Sequence, residues 1–182
     1  MRAGSLTCTT DAQRGELAAG PRKFRASDWT HTGAGSTFPR MSTAFLTRTV
    51  RFAAAHRYYR PEWSEARNRE VFGACSNPHG HGHNYRLEVT VAAPVDAETG
   101  FSADLAALDS ILQQEVVAPL DHQHINHAVP DFREGGMIPT CENLLIWLWP
   151  RIASRIDGPA RLHTLRLHED DSLSVEYRGG AG

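Results

Sequence analysis

The segment Cys75-Ser76-Asn77-Pro78-His79-Gly80-His81-Gly82-His83-Asn84-Tyr85 holds three histidines alternating with glycine, the last two, His81 and His83, at the head of an alternating apolar run, with a thiol a short loop upstream. The residues that follow, Asn84 to Ala92, read as a β-strand. In a strand, residues i and i+2 point the same way and sit ~6.6 Å apart. His81 and His83 therefore present two imidazoles on one face, and a single metal ion can accept both. The stretch Phe45–Arg57 also reads as a strand, rich in β-branched and aromatic residues at its start, with His56 near its end. If the two strands pair as neighbours, three histidines converge. A zinc ion held by three histidines keeps a fourth position open, which is the catalytic pattern rather than the closed structural one. Each histidine taken alone reads as a surface residue. The His-Gly-His spacing, the strand context and Cys75 together favour a metal beside a nucleophile or base.

The elements needed to hold this arrangement fit in one domain. The chain has 182 residues and a formal net charge of −2. A near-neutral charge gives no reason to expect a nucleic-acid or membrane partner. The three cysteines, Cys8, Cys75 and Cys141, form no disulfide framework and point to a reducing, cytoplasmic setting. No apolar run reaches the ~18 residues of a membrane-spanning helix. Residues 1–40 lack the apolar core of a signal peptide. Rich in Gly, Ser, Thr, Ala and Arg without periodicity, they read as a disordered extension or a misassigned start. The folded domain is expected over residues 41–182.

Within that domain the pattern predicts strands over about 43–57 and 83–94, joined by a polar loop over 58–80. A first helix starts near Ser102 as N-cap, carries Leu105, Leu108, Leu112 and Val116 at helical spacing, and stops at Pro119. Leu120-Asp121-His122-Gln123-His124 is polar, and without further information reads as an ordinary helix end. Thr140 caps a second helix with Leu145, Leu148, Ile152 and Ile156 on its apolar face, broken at Gly158-Pro159. Strands over 161–169 and 172–178, joined at Asp170-Asp171, complete a ββααββ order. This predicts an α+β domain: an antiparallel sheet with two helices on one face. His79, His124 and His127 read as surface residues, and His163 and His168 as a solvated strand face.

Phe52-Ala-Ala-Ala-His56, Phe72-Gly-Ala-Cys75, His81-Gly-His-Asn-Tyr85, Leu120-Asp-His122, Pro139-Thr-Cys-Glu-Asn143 and His168-Glu169 resemble, in order and spacing, the family of 6-pyruvoyltetrahydropterin and 6-carboxytetrahydropterin synthases. The resemblance spans about Thr43 to Gly179. It implies a tunnelling fold, in which subunits assemble through their sheets into a trimeric barrel and two barrels stack as a hexamer, with the active site between subunits. It further implies zinc on His56, His81 and His83. Cys75 would be the catalytic base, paired with Asp121 and His122. Glu169 would anchor the pterin, supported by Thr140 and Glu142. The Cys141 position varies among relatives, and a buried packing thiol suits it.

The activity so implied acts on a small-molecule pterin, 7,8-dihydroneopterin triphosphate, and eliminates triphosphate to give 6-pyruvoyltetrahydropterin. The second branch of the family releases acetaldehyde as well and feeds deazapurine (queuosine) synthesis. The five residues between Cys75 and His81 resemble the pyruvoyl branch. Two further classes compete: a paralogue that binds zinc and pterin without turnover, and a zinc hydrolase that would not need Cys75.

Overall fold

A computed structural model describes residues 42–180; the expected extension over 1–40 lies outside the described residues. Two 14-residue strands, β1 (Thr43–His56) and β2 (His81–Pro94), form the longest hairpin. Their antiparallel register pairs Phe52 with Tyr85, Ala54 with His83 and His56 with His81. β4 (Arg161–His168) and β5 (Ser174–Tyr177) continue the sheet on one side and a two-residue strand, β3 (Gln123–His124), on the other, in the order β3-β1-β2-β4-β5. The period-two pattern of β2 is expressed as burial: Tyr85, Leu87, Val89, Val91 and Ala93 are buried, whereas the residues between them are not. One face thus packs on the core and the other stays polar, as an antiparallel sheet permits.

Five α-helical segments lie among the described residues. They are α1 (Glu65–Phe72), α2 (Leu105–Leu112), α3 (Ala118–Leu120), α4 (Ile125–Ala128) and α5 (Cys141–Ala153). α2 and α5 supply Leu108, Ile111, Leu112, Leu144, Leu145, Leu148 and Ile152 to the core cluster with Tyr85, Leu87 and Leu167 of the sheet. Thr140 caps α5 as expected, its hydroxyl accepting from the Asn143 N–H at 3.3 Å. Pro150 lies inside α5 on its exposed side.

The structure corrects the sequence reading in four places. Asp104, not Ser102, caps α2 by accepting from the Ala107 N–H at 3.0 Å. That cap moves Leu105 outward to 46% exposure and brings Ile111 in. The first helical region continues past α2 through a π-turn at Gln113–Val117 into α3, with Pro119 in its last turn. The polar loop over 58–80 contains α1, capped by Ser64, whose side chain accepts from Arg67 N–H at 3.2 Å. Finally, a two-residue strand, β3 (Gln123–His124), joins β1 in parallel at Ala54 and Ala55. The order is therefore longer than ββααββ, and the sheet is mixed at one edge.

Candidate metal centre and its flanks

Strand register brings the three histidines together. His56 ends β1 opposite His81, the first residue of β2, and His83 lies two residues on with the same facing. One nitrogen from each of the three lies within 4.8 Å of the others. His56 Nε2 and His81 Nε2 are 3.2 Å apart. Gly80 makes the approach possible: its φ is +66°, and a Cβ there would lie 2.4 Å from the His56 carbonyl oxygen and 2.9 Å from His124 Nε2. Only glycine tolerates that backbone and that contact.

The cluster is dry. His56 is fully buried, and burial, followed by the neighbouring His81 and His83, lowers its pKa from 6.5 to about 3, although the Pro139 carbonyl that accepts from its ring opposes this. Burial and His83 likewise lower His81. His56 and His81 are thus held neutral at physiological pH, the state a metal ligand requires. His83 Nε2 is buried without a hydrogen bond. An orphaned buried ring nitrogen costs free energy unless something accepts its lone pair. Among the described residues this is the one His/Cys/Asp/Glu group with metal-ligand geometry.

Cys75 stands at the rim. It sits in a 3₁₀ turn (Gly73–Ser76) after α1. The turn is fixed by the Tyr58 N–H donating to the Cys75 carbonyl at 2.8 Å and by Ser76 Oγ donating to the Gly73 carbonyl at 2.8 Å. Buried Asn68 ties the preceding loop by accepting from Arg60 N–H and donating to the carbonyls of Arg60, Trp63 and Ser64. Cys75 Sγ then lies 3.8 Å from His81 Nε2. Burial first, then Glu169, pushes its thiol above the usual range. A neutral His81 offers no imidazolium to oppose this; a cation bound at the histidines would lower it.

Glu169 comes closer to the histidines than its expected role as a pterin anchor requires. It follows β4, and its Oε1 lies 3.3 Å from His83 Nε2, 3.6 Å from His56 Nε2 and 3.5 Å from the Tyr85 hydroxyl. Thr140 is occupied as the α5 cap. Glu142, in the first turn of α5, is exposed and acts on the charges of Tyr58 and Cys141. Cys141 is buried, and burial followed by Glu169 pushes its thiol up to about 12, consistent with a packing residue.

Asp121 and His122 form their expected pair, His122 Nδ1 lying 2.9 Å from Asp121 Oδ2. The pair is clamped to β1 at one residue: Ala53 N–H donates to Asp121 Oδ1 at 2.8 Å, and His122 N–H donates to the Ala53 carbonyl at 2.6 Å. His122 is the one non-glycine among the described residues with positive φ, +57°. Strained backbone of this kind gathers at functional positions. Its side chain is 82% exposed, and no hydrogen bond joins it to Cys75.

The sequence reading missed two participants. His124 is half-buried rather than a surface residue, stacked on His127 with ring centres 4.2 Å apart. Tyr85, fully buried, places its hydroxyl 2.9 Å from His56 Nδ1. Its period-two position after His81 and His83 was the available signal.

The model of the 6-pyruvoyl tetrahydropterin synthase family matches residues 45–180. The 6-pyruvoyl tetrahydrobiopterin synthase of Poecilia reticulata is 38% identical over 142 residues, covering 78% of this chain and 94% of that protein. The enzyme of the same name from Drosophila melanogaster is 38% identical over 136 residues, covering 75% and 80%. The solved structure of Caenorhabditis elegans 6-pyruvoyl tetrahydropterin synthase superposes with a TM-score of 0.72 at 31% identity, covering 79% of this chain and all of that one. With the His-Gly-His strand, the adjoining thiol and the clamped Asp-His pair in place, the chain belongs to the 6-pyruvoyl tetrahydropterin synthase family.

Proposed function

We propose that this chain is a zinc-dependent lyase that converts 7,8-dihydroneopterin triphosphate into 6-pyruvoyltetrahydropterin and triphosphate. The observation that carries the reading is the convergence of His56, His81 and His83 with Cys75 at their edge. His56, His81 and His83 would hold the ion. When bound, zinc supplies a Lewis acid that makes the C–H bonds beside a polarised side-chain oxygen more acidic.

The protein's residues handle the protons. Cys75 is placed to remove one from the substrate side chain as general base. Asp121 accepts from His122 Nδ1–H and so fixes the tautomer that leaves Nε2 free for proton exchange. The two hydroxyl carbons of the side chain rearrange to carbonyls as the dihydropterin ring is reduced and triphosphate departs, so the redox change is internal. Glu142 and Glu169, as carboxylates, suit the donor edge of a pterin. The exposure of His122 and its separation from Cys75 support a site completed between subunits of a homo-oligomer, a hexamer in the family resemblance. The catalytic domain would span residues 41–182, and the setting would be cytoplasmic.

Anaerobic incubation of zinc-loaded protein with 7,8-dihydroneopterin triphosphate, with mass analysis of the pterin and an acetaldehyde assay, tests this. A pyruvoyl product without acetaldehyde supports it. A carboxy product with equimolar acetaldehyde assigns the chain to the deazapurine branch. Zinc binding without turnover identifies a binding-only paralogue.

A further inference from the structure

Tyr85 is fully buried, its ring stacked on Phe52 with centres 4.9 Å apart. Its hydroxyl has two polar neighbours: His56 Nδ1 at 2.9 Å and Glu169 Oε1 at 3.5 Å. A carboxylate only accepts, so the single hydroxyl proton is directed to Glu169. The tyrosine oxygen then faces His56 Nδ1 with its lone pairs, and the bond closes only if Nδ1 carries the hydrogen. A neutral imidazole protonated at Nδ1 has its lone pair on Nε2, and His56 Nε2 is the atom that points toward His81 and Glu169. The opposite tautomer would place a hydrogen at the centre of the three-histidine cluster and exclude a cation there.

We propose that Tyr85 is a positioning residue that holds His56 as its Nδ1–H tautomer, with Glu169 orienting the tyrosine proton, so that Nε2 is preset as a metal donor. This rests on the reading of His56 as a ligand. Such a partner behind a ligating histidine is worth roughly 10–100-fold in metal affinity. Burial alone does not supply the effect, because a buried imidazole without a partner can take either tautomer.

The test uses full-length protein with ¹⁵N-labelled histidine. Long-range ¹H–¹⁵N spectra of the zinc-free protein near neutral pH report the His56 tautomer directly. Wild type should show Nδ1–H, and Tyr85→Phe, which keeps the ring against Phe52, should lose that preference. Zinc affinity, read by competition with a chromophoric chelator, should fall about 10–100-fold in Tyr85→Phe, while thermal melting of the zinc-free variant confirms the fold. A wild-type His56 protonated at Nε2 overturns the proposal. So does an unchanged tautomer and affinity in Tyr85→Phe, which would leave the Pro139 carbonyl as the group that fixes the ring. Wild type that binds no zinc overturns the metal reading instead, and the spectra still decide the tautomer.

Discussion

The histidine cluster and the Asp121–His122 pair both meet β1, the first through His56 and the second by hydrogen bonds to Ala53, yet they are built in opposite ways. His56 is fully buried and His83 Nε2 lacks a hydrogen bond. Strand register brings the three rings together, and Tyr85 and Glu169 flank them at 2.9 Å from His56 Nδ1 and 3.3 Å from His83 Nε2. His122 is 82% exposed, its pair is hydrogen-bonded to Ala53 on both backbone groups, and its backbone is strained. The first region brings three ring nitrogens within 4.8 Å of one another, a group that could hold a metal ion. The second is an exposed Asp-His pair whose imidazole makes no hydrogen bond to Cys75. The contrast teaches that strand register can assemble a largely buried cluster within one chain, whereas an exposed pair is fixed by hydrogen bonds to a neighbouring strand's backbone.

Removing a donor from the first region has the largest expected effect. His81→Ala should abolish stoichiometric zinc, read by metal analysis of dialysed protein, and take turnover to background. Retained zinc would show that the cluster is not the metal centre. Cys75→Ser should keep zinc but lower kcat about 10²–10⁴-fold, the range of a lost general base; activity surviving at full rate would favour metal-centred hydrolysis. Asp121→Asn removes the acceptor that sets the His122 tautomer. It should lower kcat by about 10²-fold or more, with zinc affinity unchanged; a parallel loss of zinc would erase the distinction between the two regions.

The smallest effect expected is on stability of the zinc-free protein. His56 has a folded-state pKa depressed to about 3 from 6.5. The unfolded chain therefore takes up this proton first as pH falls. Stability should be full above about 6.5, decline below it, and go on declining toward about 3, contributing a fall in melting temperature across that window. His56→Gln should flatten that part of the profile. If it does not, the depressed basicity belongs elsewhere.

The long strands, their hairpin pairing and α5 were legible because period-two and helical patterns are strong where one face is buried, as in Tyr85, Leu87, Val89 and Val91. The pairing of His81 with His83 was legible for the same reason, since a spacing of two fixes facing. α1 was hidden because it buries only Asn68 and so carries no apolar periodicity. The parallel β3 was hidden because two residues carry no period at all. Asp121 and His122 were readable only by resemblance: nothing in their own types announces the backbone clamp at Ala53. The Tyr85 contact with His56 depends on a buried side-chain distance that composition does not encode.

The most direct test of the two-region account is subunit complementation. Cys75→Ala and His122→Ala proteins, each inactive alone, would be unfolded together, refolded as mixed oligomers with zinc, and assayed with 7,8-dihydroneopterin triphosphate. Recovery of a substantial fraction of wild-type activity in the mixture, and none in either variant refolded alone, is the predicted result. No recovery in oligomers shown to contain both chains would contradict the account, and would mean that His122 serves the Cys75 of its own chain or none.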